Sequence, residues 1–420
     1  MATSLPIDQP WYRQVLLVAA LVGLLVGALG LVYLGVTGVA FTGIFGEPRT
    51  EAWSGEWWWI GVTAAGGLLV AGLRMWWKTP EKVPGGVAII ESGKVDHKMA
   101  PSWVALALVS AVAGASLGPS FALVMMGGGL AAWVASRRWV GNEDARLYST
   151  LAGIAGGFGG AFTSPMLGSL VVSELAPVAK QKYVDALLPQ LIGAVVAFGL
   201  FFGVAGSTLL NSFAIPAQEF TPWQLVMGVG LGVASSLIMI VFIAIVKIVS
   251  VAGAKLQNAL VRGVVGGALV GLLAVALPLT IGSGNNQLSA VLDSAPAIGA
   301  GLLLLVLVGK MFAMALSLQA GFIGGNVLPM LFVGGTAGAI VHILIPGIPY
   351  AIAVAAMLAA VPGSVIKAPI GLTLIAALSV GLGPVAAAPV AIAVVTAYLL
   401  TAGLAALLRA RRVDVQPVDA

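Results

Sequence analysis

GASLGPS, residues 114–120, ends one apolar run and begins another. Proline fixes φ and has no N–H, so Gly118-Pro119 marks a helix start, where that N–H would be unpaired in any case. The run that follows, residues 121–134, is apolar but shorter than the roughly 20 residues of a full membrane crossing, which predicts a half-helix starting at membrane depth. Such a start has unpaired N–H groups and the positive end of a macrodipole, and both favour an anion. Taken alone, the stretch reads equally as an ordinary glycine-proline kink.

Composition places the stretch in a membrane. Of 420 residues 60% are hydrophobic and only 8% are charged, with a mean hydropathy of +1.07, values that belong to an integral membrane protein. Roughly a dozen apolar runs can be marked, among them residues 16–36, 57–77, 225–249, 298–316 and 385–408. They read as helices, because lipid cannot hydrate open backbone and no alternating ten-residue pattern points to a barrel. The 56 glycines allow close helix approach. The lack of cysteine excludes a disulfide framework and a thiolate metal site, and His97 and His342 are too isolated to form a metal centre. No cofactor is expected. The net charge of +5 comes from basic residues spread over loops, which points to membrane topology and not to nucleic acid.

The loop holding Glu47, Arg49, Glu51 and Glu56 leads into Trp57, Trp58 and Trp59, an interfacial belt, and is expected outside. Arg74, Lys78, Lys82, Lys94 and Lys98, with Glu81, Glu91 and Asp96 among them, place the next connection in the cytoplasm. Arg409, Arg411 and Arg412 give a short cytoplasmic tail, so both termini are expected inside. The expected layout is an arm over 1–14, a membrane domain over 15–408 and a tail over 409–420.

An internal echo turns the kink into a site. GPSFALVMMGGGLAAWV from Gly118 is echoed by LPMLFVGGTAGAIVHI from Leu328, and SPMLGSLVV from Ser164 by APIGLTLIA from Ala368. Pro119 pairs with Pro329 and Pro165 with Pro369, about 210 and 204 positions apart. Repeats with Gly/Pro-broken segments at matching positions mark transporters and channels whose site lies at the bilayer midplane. The repeats are expected over roughly 15–210 and 222–408. GGFGGAFTSP, residues 156–165, reads as a glycine-rich descent to a second broken helix that ends near Ser173 and Glu174, the latter an interfacial carboxylate or an inner acid. Lys310 and Lys367 are expected to snorkel to an interface. GSGNNQ, residues 282–287, reads as a turn.

The order of these motifs resembles the CLC family of chloride channels and chloride/proton antiporters from Pro84 to Tyr398. GASLGPS stands where the family has GREGP, GGNVLP at 324–329 where it has GxFxP, and KAPIGLTLIAAL where it has a RAPLTG-type helix. PGGVAIIE at 84–91 resembles a degraded GSGIP element, and residues 145–175 resemble the segment leading to a glutamate pair. The resemblance implies an all-α membrane fold of two inverted repeats with tilted, partly broken helices. It also implies a homodimer in the cell membrane with an anion path in each subunit, passing chloride or a similar small anion.

Carried over residue by residue, the resemblance implies anion contacts at Ser116, Leu117, Gly118, Pro119, Gly325, Asn326, Val327, Leu328 and Gly85, with Tyr398 as the family's chloride-contacting tyrosine. Asn326 reads equally as a helix N-cap. The family's gating glutamate falls on Leu117, its arginine neighbour on Ser116, the GxFxP phenylalanine on Val327 and the GSGIP serine on Gly85. Of the glutamate pair only Glu174, at the inner proton-transfer position, remains. These departures predict passive conduction with Leu117 at the gate. An antiporter with a rearranged proton path and an inverted-repeat transporter for another anion are the alternatives, and an eroded, non-conducting scaffold is a further one. A membrane-embedded enzyme finds no nucleophile with an adjacent base and no HExxH motif.

Overall fold

The computed structural model describes residues 6–80, 82–162, 164–206, 213, 215–216 and 220–413, without the side chains of residue 161 and residues 409–413. The expected roles of Glu81, of the tail arginines Arg409, Arg411 and Arg412 and of the repeat boundary near 210 lie outside that description. Among the described residues the first half of the chain forms α1 (Pro10–Phe45), α2 (Trp58–Trp76), α3 (Gly86–Ser92), α4 (Ala100–Val112), α5 (Ser120–Arg138), α6 (Glu143–Ala161), α7 (Pro165–Leu175) and α8 (Tyr183–Ala205). The second half forms α9 (Gln224–Gly253), α10 (Ala259–Ala276), α11 (Asn285–Ile298), α12 (Ala300–Ala320), α13 (Val327–Leu344), α14 (Tyr350–Gly363), α15 (Pro369–Val380) and α16 (Ala388–Val413). Nine of the described helices are long and apolar enough to cross a membrane.

Local chemistry sets the helix ends. Asn142 caps α6 by accepting from the Ala145 N–H, with Glu143 and Asp144 in the first turn to complement the dipole. Ser164 caps α7 through the Met166 N–H, with Pro165 at the first helical position. Glycine supplies close contact between helices. Gly127 of α5 faces Gly153 of α6 and Gly67 of α2 faces Gly263 of α10, so that a Cβ on any of the four would run into the opposite backbone. Residues 156–160 are helical, forming the last turns of α6, and their glycines again allow close approach, with Gly157 against the Leu123 carbonyl and Gly159 against Ala194. Of the expected descent, only Phe162 and Ser164 lie outside a helix among the described residues.

Two further expectations need correction. The helix after Gly118-Pro119 runs 19 residues to Arg138, longer than its apolar stretch, because the polar last turn carries Arg137 and Arg138 at the negative end of its dipole. Asn285, Asn286 and Gln287 are not loop but the first turn of α11, entered through Gly284 at φ 92°.

Two deeply buried helices pack on each other within the second half: α14 is buried from Ala351 onward and α13 over its first fourteen residues, as expected for helices surrounded by protein on all sides. α1 and α9 instead expose rows of leucine, valine and isoleucine outward. The connection from α4 to α5 and that from α12 to α13 meet at the centre as an antiparallel pair, Gly118 with Gly325.

Candidate functional site

The central feature is this clasp. The Gly118 N–H donates to the Gly325 carbonyl at 2.6 Å and the Gly325 N–H to the Gly118 carbonyl at 2.7 Å. Only glycine fits at 325, since a Cβ there would strike the Ser120 hydroxyl and the Phe121 nitrogen. Each connection is also braced by a serine of the opposite half: Ser317 Oγ accepts from the Ser116 N–H and Ser110 Oγ from the Ile323 N–H, both at 3.0 Å. Those serines donate in turn to the Ala313 and Leu106 carbonyls at 2.7 Å. From Ser110 to Ser317, from Ser116 to Ile323 and from Gly118 to Gly325 is one constant step of 207 residues. Gly114 and Gly321, at φ 84° and 90°, keep the same step.

The step corrects the register expected from the prolines. Pro119, the N-cap of α5, matches Asn326, the N-cap of α13, and Pro329 sits three residues into its helix. Either place suits proline, because no N–H in the first turn of a helix has an intrahelical acceptor. For the second pair the proline spacing holds, with Pro165 and Pro369 both first in their helices.

A cavity lies on each side of the clasp. The first, about 320 Å³, opens near the ends of α1 and α8 and is lined by Leu117 and Pro119 together with Phe41, Ser283, Asn286 and Gln287. The second, also about 320 Å³, is lined by Gly85, Ser120, Gly325, Asn326, Val327 and Glu91, and an adjoining cavity of about 430 Å³ reaches Lys82, Phe121 and Asn326. Leu117, 3% exposed, therefore belongs to one side and Gly85, Asn326 and Val327 to the other. The amide groups of Gly118 and Gly325 are engaged with each other and that of Leu117 with the Ala115 carbonyl. The donors left at the helix starts are the first-turn N–H groups of α5 and α13, including Ser120, Phe121, Val327 and Leu328.

Two side chains add to them. Ser120, not among the expected contacts, is 3% exposed; its hydroxyl faces Gly325, and the residue lines the second cavity and makes no side-chain hydrogen bond to a described residue. Asn326 makes no capping bond, and its Oδ1 is buried without a partner. Since the oxygen and nitrogen of an amide are assigned by their surroundings, that atom is equally a donor facing the cavity. Ser116 is fully buried with an unpartnered hydroxyl and lines neither of these cavities. Tyr398 is half-buried in the middle of the unbroken α16 and is also absent from their walls.

The charged residues fall in unexpected places. Glu174 spans the two halves: its Oε1 accepts from the Ile370 N–H at 2.9 Å and its Oε2 from the Gly371 N–H at 2.7 Å, capping α15. Lys310 does not snorkel. It is 0% exposed, and its Nζ donates to the carbonyls of Thr280 at 3.0 Å and Gly282 at 2.7 Å and lies 5.0 Å from the Phe332 ring. Lys367 does reach solvent, pairing with Glu91 at 3.5 Å at the second cavity.

Comparison with known proteins shows the family and the fold. Residues 66–402 match the family model described as voltage gated chloride channel. A chloride/fluoride channel protein of Pseudomonas syringae pv. tomato is 29% identical over 258 residues, 58% of this chain and 54% of that protein. The H(+)/Cl(-) exchange transporter ClcA of Vibrio cholerae is 26% identical over 268 residues, 63% of this chain and 52% of that protein, so the matches span about half the length of these relatives. A slow cyanobacterial Cl-/H+ antiporter has the same fold, with a TM-score of 0.78 at 19% identity over 96% of this chain and 98% of that one. With two inverted halves clasped at glycine between opposed cavities, and a family match over most of its length, the chain belongs to the voltage gated chloride channel family.

Proposed function

We propose that this protein conducts chloride and similar small anions passively across the cell membrane, through a path in each subunit of a homodimer, with Leu117 as an apolar constriction. The observation that carries the proposal is the clasp itself, where helix starts from two inverted halves lie between opposed cavities. Partial positive charge from first-turn N–H groups, with the Ser120 hydroxyl and the Asn326 amide, suits a partly dehydrated anion held by several weak contacts. Weak multiple contacts allow release as well as capture.

In this reading the second cavity faces the cytoplasm and the first the outside, with both termini inside, and the basic connection after α2 supports that orientation. Among the described residues no titratable side chain lines the outer cavity. Both oxygens of Glu174 are engaged as a helix cap. A proton therefore has no carrier at the outer step, which favours conduction over exchange. The likeness to proton-coupled relatives makes antiport the second reading.

The test is efflux from liposomes loaded with chloride, fluoride, nitrate or a carboxylate. Chloride efflux well above that of empty liposomes, with carboxylate retained, is expected. Efflux equal to that of empty liposomes for every anion overturns the proposal.

A further inference from the structure

We infer that the outer cavity contains a second anion-binding position at the start of α11, separate from the clasp and built from Gln287, Asn286 and the first-turn N–H groups of that helix. The inference rests on the anion-conduction reading and adds a site to it. α11 is 14 residues long, and its first intrahelical bond runs from the Leu288 N–H to the Gly284 carbonyl at 2.8 Å. The N–H groups of Asn286 and Gln287 thus have no acceptor within the helix, and the positive end of its dipole lies at the cavity wall.

A side chain supplies the independent sign of a ligand. Gln287 is 4% exposed and lines the cavity, and its amide makes no hydrogen bond to a described residue. An amide that opens on the cavity without a partner among the described residues is free to bind a ligand there. Asn286 Oδ1 accepts from the Asn285 amide at 3.4 Å, which leaves the Asn286 NH2 group as a donor on the same wall. These donors, with no acid among the described lining residues, select an anion over a cation.

A buried lysine stands behind the wall. The Nζ of Lys310 donates to the carbonyls of Thr280 and Gly282, the backbone that leads directly into Gly284 and α11. It holds the segment in place and offsets the negative ends of those carbonyls. The Gly282 N–H donates to the Gly114 carbonyl at 3.1 Å, tying this wall to the stretch that leads to Leu117. An anion at Gln287 would therefore wait on the outer side of the constriction.

The test uses bromide as the probe, located by anomalous scattering in crystals of the intact protein. The expected result is a bromide peak within hydrogen-bond distance of the Gln287 amide, lost in Gln287→Leu and in the shape-conserving Gln287→Glu. In liposomes the same variants should raise the half-saturating external chloride concentration about two- to tenfold, the range of one neutral hydrogen bond. No bromide peak at α11 in the unaltered protein, or a peak that persists in both variants, overturns the site. Failure of the conduction reading is distinct: flux equal to that of empty liposomes while the bromide peak at α11 remains.

Discussion

Leu117 lines a cavity beside the clasp with a side chain that neither carries a charge nor moves a proton, and under the proposed function this position separates conduction from exchange. Leu117→Glu is expected to cut chloride flux at neutral pH by about tenfold or more, since like charges a few ångströms apart at an effective dielectric near 20 repel by several kcal/mol. The sign follows from the carboxylate: acidification neutralises it and flux rises, whereas the unaltered protein shows little pH response. Flux recorded between pH 4 and 8 checks this. On the opposite side, Asn326→Ala should weaken chloride binding about two- to tenfold in calorimetric titration, because a donor at the cavity is lost. Tyr398→Phe should change it less than about twofold, since that hydroxyl lines neither cavity beside the clasp. A residue resemblance placed Tyr398 at the ion, while spacing alone could not show that α16 runs through it without a break.

Between elements, two charged side chains hold what the apolar helices cannot. Lys310→Met removes the donor from the buried Thr280 and Gly282 carbonyls and should destabilise by about 1 to 3 kcal/mol for each. A fall in the detergent melting temperature that Lys310→Arg partly restores is the expected outcome. Glu174→Ala uncaps α15 and should lower stability by about 0.5 to 2 kcal/mol while leaving chloride flux near that of the unaltered protein. If Glu174→Ala abolishes a measurable proton movement, the carboxylate is a proton carrier and not a cap. Neither role was legible in the chain. A lysine in an apolar run reads as snorkelling, and only the fold shows carbonyls of a distant turn arriving at its ammonium. The breaks were legible, because Gly118-Pro119 and Ser164-Pro165 are local chemistry. Their pairing was legible to within three residues, since proline is tolerated throughout a first turn and does not mark its register.

At the scale of the molecule, two inverted halves present helix starts to one point and keep a cavity on either side of it. The membrane class followed from composition and the repeat from two echoes in order, while the inversion was an implication of the family resemblance. What the echoes could not give was the clasp, a contact across 207 residues between glycines that carry no side chain to pattern. Relatives of this chain are named both channel protein and exchange transporter, so family membership leaves coupling to the residues that line the path. The most direct measurement is the reversal potential of the reconstituted protein in a planar bilayer, under a fixed chloride gradient with and without a two-unit pH difference. Passive conduction predicts the chloride equilibrium potential in both conditions. A displacement of the reversal potential towards the proton equilibrium potential, in step with the imposed pH difference, would contradict it.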